Sequence, residues 1–193
     1  MSHLHTRRLR LVPATAETTA LELSGHGQLG LMLGCTVPVD WPPDDLRDAL
    51  PMFEAALRDR PEEAGWWAWY WITAGPSGAV LVGSGGFLGP PNATGVVEAG
   101  YSTAARYRRL GFAGEAVDAL TVHALTQPGV RRVEAECHPH NVGSLGVLRR
   151  CRFECLGPGD EAGTQRFGRA RCSGPAGRNG PRDSNAAQRP ASR

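Results

Sequence analysis

The chain has 193 residues, 41% of them hydrophobic and 21% charged, a composition that suits one globular domain around one main core. Its formal net charge of +2 is unevenly placed: residues 169–193 hold six arginines against the single acid Asp183, leaving 15 arginines and 18 acids, a net of −3, in residues 1–168. A mildly acidic body with a basic tail gives no electrostatic case for a nucleic-acid partner, and no stretch approaches the apolar length of a membrane span.

All 21 basic residues are arginine, which reads first as base-composition bias. Cysteines stand at 35, 137, 151, 155 and 172, an odd number in a chain too long to need staples. Met1–Arg10 lacks an apolar run suited to a signal sequence, so free thiols and a cytoplasmic location are expected.

Taken in order, Arg7–Val12 predicts a short strand ended by Pro13. Thr15 is placed to cap a helix running to about Gly25, and the glycine-rich stretch 25–34 weakens its continuation. The prolines of 37–43 exclude helix. Asp44 or Asp45 is then expected to cap an amphipathic helix with Leu46, Ala49, Leu50, Phe53, Ala56 and Leu57 on one face. The aromatic run Trp66–Ile72 predicts a strand with Trp67, Trp69 and Trp71 on one face and Trp66 and Tyr70 on the other. Core packing is the expected role for most of these rings. Val80–Leu88 completes a hairpin and Gly95–Thr103 adds a strand. A long helix follows over about 111–126, then a half-buried strand over 130–137, a short helix over 141–150, and strands over 153–156 and 164–171. This order predicts an α+β domain over residues 1–171: a mixed, mostly antiparallel twisted sheet with helices on both faces. Residues 172–193, made mainly of Gly, Pro, Ser, Arg, Asn and Ala, read as a disordered tail.

The informative segment is Tyr101–Glu115. A long helix starts inside it, yet residues 104–112 contain no Ser, Thr, Asp or Asn to cap it, and Arg106, Arg108 and Arg109 lead into it. Uncapped amides, the positive end of a helix dipole and adjacent arginines make an anion site that a pyrophosphate would fit. The plainer alternative is a water-capped helix beside solvated arginines. A P-loop is excluded because the chain has no lysine, and Gly83–Gly89 fails the dinucleotide pattern because Leu88 stands where its last glycine belongs.

Arg108-Arg109-Leu110-Gly111-Phe112-Ala113 resembles the Q/R-x-x-G-x-G/A signature of the GNAT superfamily of N-acetyltransferases. Val97–Tyr101, Arg106–Ala116, Val133–Ser144 and Val147–Phe153 are similar to its Rim-like branch, named for ribosomal-protein N-acetyltransferases, and the likeness covers roughly residues 6–171. Four positions depart from that pattern: Arg109 and Arg152 stand where glycine is usual, Gly114 and Cys137 where threonine is usual. Arg152 is expected to strain a turn that needs a positive φ.

The resemblance implies acetyl-CoA as co-substrate and an amine as acceptor, either a protein N-terminus or a small molecule, in a direct-attack ternary complex. It implies cofactor binding by Tyr101, Ser102 and Thr103 on a splayed strand. Arg108, Arg109, Leu110, Gly111, Phe112, Ala113 and Gly114 would hold the pyrophosphate, and Asn141 would contact the pantetheine chain. Glu98, on the strand face shared with Gly100 and Ser102, is the candidate base, its plain alternative being a solvated strand carboxylate. Family members often protonate the leaving thiolate with a tyrosine on the helix after Asn141. None follows Tyr107 here, and the Rim-like pattern puts Ser144 in that role, with a simple first-turn residue as its alternative. The Cys and His residues of 137–155 match no zinc spacing, so no metal is expected. A homodimer is compatible with the sequence. The alternative to an enzyme is a catalytically weak acyl-CoA-binding module.

Overall fold

The structure, a computed structural model, describes residues 2–75 and 78–171. In chain order they form β1 (Leu4–His5), β2 (Leu9–Pro13), α1 (Ala16–Ser24), α2 (His26–Leu33), α3 (Asp44–Asp59), β3 (Trp69–Gly75), β4 (Gly78–Phe87), β5 (Val96–Thr103), α4 (Phe112–Thr126), β6 (Arg132–Cys137), α5 (Val142–Arg150), β7 (Glu154–Pro158) and β8 (Gln165–Ala170). The strands make one sheet in the order β1-β2-β3-β4-β5-β6-β8-β7, antiparallel throughout except for the parallel pair β5–β6. The expected α+β architecture is the one observed.

Strand alternation sorts the core into two layers. Leu9, Leu11, Trp69, Trp71, Val82 and Val97 face α4 and the inward side of α5, where Val117, Leu120, Ala124 and Leu148 meet them. From the opposite face Tyr70, Ile72 and Leu81 pack against α1, α2 and α3 through Leu29, Leu33, Leu46, Leu50, Phe53 and Leu57. The sheet is thus packed from both faces.

Three local expectations are corrected. Residues 26–33 form α2, where glycine content argued against it. Leu29 and Leu33 bury into the second layer, Gly30 lets the backbone approach the Cys35 carbonyl, and Gly34 closes the helix at φ 63°. Packing here outweighs intrinsic propensity. Neither Asp44 nor Asp45 caps α3; Pro43 occupies the N-cap, without a side-chain bond. The aromatic strand begins at Trp69, not Trp66: Trp66 N–H bonds the Glu63 carbonyl, and Trp67 turns to the α3 layer, its ring 6.0 Å from Phe53. Thr15 does cap α1, in a reciprocal box with Thr18. Arg152 sits at φ 61°, the left-handed region expected of that turn. The tail of 172–193 and Cys172 lie outside the described residues.

Candidate active site

The parallel pair β5–β6 is short. Val96, Val97 and Glu98 pair with Arg132, Val133 and Glu134, and there the ladder stops, while β5 continues to Thr103 bonded only to β4. From Ala99 onward the β6-facing edge of β5 therefore has no strand partner. The gap widens into a cleft of about 700 Å³ bounded by β5, the start of α4 and α5. Unpaired backbone at the centre of a sheet is a ready partner for an extended amide-bearing chain.

The α4 end of the cleft gathers hydrogen-bond donors and positive charge. Gly111 is the N-cap at φ 82°, with no side-chain hydrogen bond to the first turn, as the missing cap residues imply. Phe112, Ala113 and Gly114 line the cleft with their amides at the positive end of a 15-residue helix. Arg108 and Arg109 stand at its rim. Arg108 Nε donates to the Thr103 carbonyl at 3.0 Å, and Arg109 takes φ 61°, the left-handed conformation expected of glycine there. Leu110 does not line the cleft; its side chain is exposed and its carbonyl accepts from Arg8 Nη1. The donors fit a diphosphate: amides with no side-chain acceptor, ringed by guanidinium groups.

Across the cleft, Asn141 caps α5 by accepting from the Ser144 amide at 3.0 Å. Tyr101 spans the gap from β5 and ends 2.7 Å from Ser144 Oγ, with the Ser144 carbonyl also in reach at 3.2 Å. Burial pushes the Tyr101 phenol well above its ordinary range, so it stays protonated at neutral pH. The sequence offers no tyrosine beyond Tyr107 for this region; the fold brings Tyr101 to it from β5.

On the α3 side lies a smaller cavity of about 220 Å³, joined to the cleft through Asp45, Tyr101 and Ser102, which line both. Its walls are mostly apolar: Leu46, Ala49, Phe53, Phe87 and Leu88. Asp45 Oδ1 accepts from Ser102 Oγ at 2.9 Å at the junction. Ser84, fully buried, also lines this cavity, and its hydroxyl has no hydrogen-bond partner among the described residues. Such an unmet group costs about 1–3 kcal/mol unless a ligand or water meets it.

Glu98 lines neither cavity. It lies two residues before Gly100 on the same face of β5, and Gly100 does line the smaller one. Partial desolvation, then the charges of Glu136, Asp160 and Glu134, raise its carboxyl above the usual carboxylate range against the pull of Arg166. Glu136 behaves oppositely. The Asp160 amide, then Arg166, Thr164 and the Glu161 amide, bind its carboxylate and draw its pKa down to about 2.

Asp45, Ser84, Gly143, Gly146 and Arg150 were not singled out as site residues from the sequence. A signal for two of them was present: Gly143 and Gly146, three apart on α5, lie on the face that meets the cleft. Asp45 read as a cap, and nothing local distinguishes Ser84.

The family model described as "Acetyltransferase (GNAT) domain" matches residues 8–154. The chain is 31% identical over 150 residues, 78% of its length and 88% of the relative's, to the Uncharacterized N-acetyltransferase YjdG of Bacillus subtilis (strain 168). Among solved structures it resembles an acetyltransferase from Agrobacterium tumefaciens str. C58, with TM-score 0.59 and 18% identity over 89% of this chain and 95% of that one. It also resembles a Salmonella typhimurium acetyl transferase described as modifying the N-terminal serine of 50S ribosomal subunit protein L7/L12, with TM-score 0.56 and 17% identity over 86% and 96%. At those identities the structural likeness speaks for the fold. A match over most of the chain, on a sheet opened beside an uncapped helix start, makes this chain a member of the GNAT acetyltransferase family, an acyltransferase with acetyl-CoA as co-substrate.

Proposed function

We propose that the protein acetylates a primary amine, with acetyl-CoA in the larger cleft and the acceptor in the smaller cavity, the two meeting at Tyr101, Ser102 and Asp45. The observation that carries this reading is the shared wall: one cavity offers anion donors, the other apolar surface with a carboxylate at its mouth, and they join beside the unpaired edge of β5.

The pyrophosphate sits on the α4 amides with Arg108 and Arg109, and the pantetheine arm adds to β5 along Tyr101–Thr103, opposite Asn141. Acetyl-CoA supplies an activated acetyl group. Asp45 attracts the acceptor's ammonium, and Glu98 takes its proton through water, leaving the amine lone pair free to attack the thioester carbonyl. Freed β5 amides face the oxygen on which charge develops. As the carbon–sulfur bond breaks, the sulfur retains the electron pair and Ser144 Oγ donates a hydrogen bond to it. Tyr101 OH holds that hydroxyl in place; the nitrogen, cationic after attack, gives its second proton to solvent as the amide forms, and the thiolate takes its final proton from solvent.

The acceptor proposed is the α-amine of a protein N-terminus with a small first residue. A cavity of about 220 Å³ with mostly apolar walls holds a short side chain. A small-molecule amine of the same size is the second reading, favoured by the same enclosure. The Salmonella protein described as modifying an N-terminal serine supports the first.

The test is thiol release from acetyl-CoA with peptides that differ in their first residue, beside small primary amines. Turnover with Ser- or Ala-started peptides, reduced with Trp- or Arg-started ones and lowered by Asp45→Asn, is expected. Equal rates for all peptides would remove the cavity from acceptor recognition.

A further inference from the structure

A second groove adjoins the cleft behind the start of α4. It encloses about 650 Å³ and shares Gly111, Gly114 and Arg150 with the cleft. Five arginines line it: Arg7, Arg8, Arg150, Arg152 and Arg169. Two are answered by acids. Arg8 Nε meets Glu115 at 2.7 Å and stacks over Phe112, and Arg169 meets Asp118 at 2.6 Å. Arg7, Arg150 and Arg152 have no carboxylate partner among the described residues. Three unanswered guanidinium groups around one groove repel one another, which favours an anion between them.

The backbone is arranged to bring them there. Arg150 lies across the helix start, its Cδ 3.2 Å from where a Cβ on Gly114 would sit, so glycine at 114 lets it lie there without being displaced. Arg152 occupies the left-handed region at φ 61°, a conformation that costs an L-residue with a long side chain about 1–2 kcal/mol. Glycine would remove that strain, and strain retained in a residue that lines a cavity marks a candidate ligand contact.

We infer that this arginine groove binds the 3′-phosphate of coenzyme A, so that the protein discriminates CoA from its 3′-dephospho form. The inference rests on the assignment of the neighbouring cleft to the co-substrate: with the pyrophosphate on the α4 amides, the nucleotide end leaves the cleft past Gly111 and Gly114 into the groove. A phosphate monoester carries close to two negative charges at neutral pH, and arginine's planar fork suits it.

Calorimetric titration of CoA and 3′-dephospho-CoA into wild type, Arg152→Gly and Arg150→Ala tests this, with inorganic phosphate as a competitor. Wild type is expected to bind CoA roughly tenfold more tightly at low salt, the modest gain of exposed charge-assisted bonds, and the ratio should shrink as salt rises. Arg152→Gly should bring the ratio toward one while leaving dephospho-CoA affinity where it was. Equal affinities in wild type, or a ratio untouched by both variants, would overturn the groove assignment alone. Wild type binding neither ligand would overturn the cleft assignment and this inference with it. Phosphate that raises the melting temperature without weakening CoA binding would show that the groove serves a separate phosphate, and would also overturn the inference.

Discussion

Replacing Glu22 by glutamine should flatten the pH dependence of stability. Glu22 is 4% exposed, and its carboxylate accepts from Trp41 Nε1 and from Tyr70 OH, each at 2.7 Å. Burial lifts its pKa from 4.5 to about 7, against the downward pull of the Tyr70 and Trp41 hydrogen bonds. Between those values the folded chain keeps a proton that the unfolded chain has lost. Stability therefore falls as pH rises, with the contribution of this group complete below 4.5 and gone above about 7. At about 1.4 kcal/mol per pH unit the loss comes to about 3 kcal/mol, a large share of a domain's total. Glutamine keeps the shape and has no charge to bury: its carbonyl accepts from Trp41, and its amide donates to the Tyr70 oxygen. Tyr70 is itself raised by burial and by Glu22, so it does not titrate in this window. Urea unfolding followed by tryptophan fluorescence from pH 5 to 8 measures the effect. Subtracting the variant's profile from that of wild type cancels the remaining groups. Wild type should lose about 2.5 kcal/mol relative to the variant across that range, the first part of the loss falling below pH 5. Parallel profiles would refute the reasoning, because they would mean that the Glu22 carboxyl meets enough polar surroundings to ionise freely.

Three further outcomes are expected. Gly86→Ala puts a Cβ against the Trp67 carbonyl oxygen and Trp69 Cδ1, a collision with backbone that cannot yield, so chemical denaturation should show a loss of at least about 1–3 kcal/mol. Arg152→Gly relieves a left-handed residue and should raise the melting temperature, by up to about 1 kcal/mol of stability once the added freedom of the unfolded chain is counted. Glu98→Gln should lower kcat by about a hundredfold and remove the acidic limb of the pH–rate profile, since a base must be ionised to act and this carboxyl is raised above its ordinary value. An unchanged limb would assign it to another group.

The elements that form the site were legible where one local pattern decided them. Residues 104–112 offer no cap, and α4 starts uncapped at Gly111; the long helix expected over about 111–126 is observed at Phe112–Thr126. The positive φ at Arg152 was implied by the family resemblance, in which glycine stands at that position. What was hidden depends on residues distant in sequence. Tyr101 reaches Ser144 across 43 positions, and Asp45 reaches Ser102 across 57. Neither contact leaves a trace in spacing, so Asp45 read as a helix cap and the neighbourhood of Ser144 as lacking a tyrosine. Helix α2 was obscured for a different reason: its glycines lower propensity, while the burial that outweighs them exists only once Leu29 and Leu33 meet the other helices. Trp67 shows the same limit, since its turn toward Phe53 is set by α3 and not by the aromatic run in which it lies.

Calorimetric binding of acetyl-CoA to wild type, Arg108→Ala and Gly111→Asp tests the central claim most directly, with thermal melts to show that each protein is folded. Gly111→Asp places a carboxylate at the uncapped helix start, where it competes with the pyrophosphate for the same amides, and Arg108→Ala removes a rim charge. The account predicts saturable binding by wild type, about tenfold weaker in Arg108→Ala and lost in folded Gly111→Asp. Wild-type affinity retained in a folded Gly111→Asp protein would contradict it, because the co-substrate would then lie somewhere other than the start of α4.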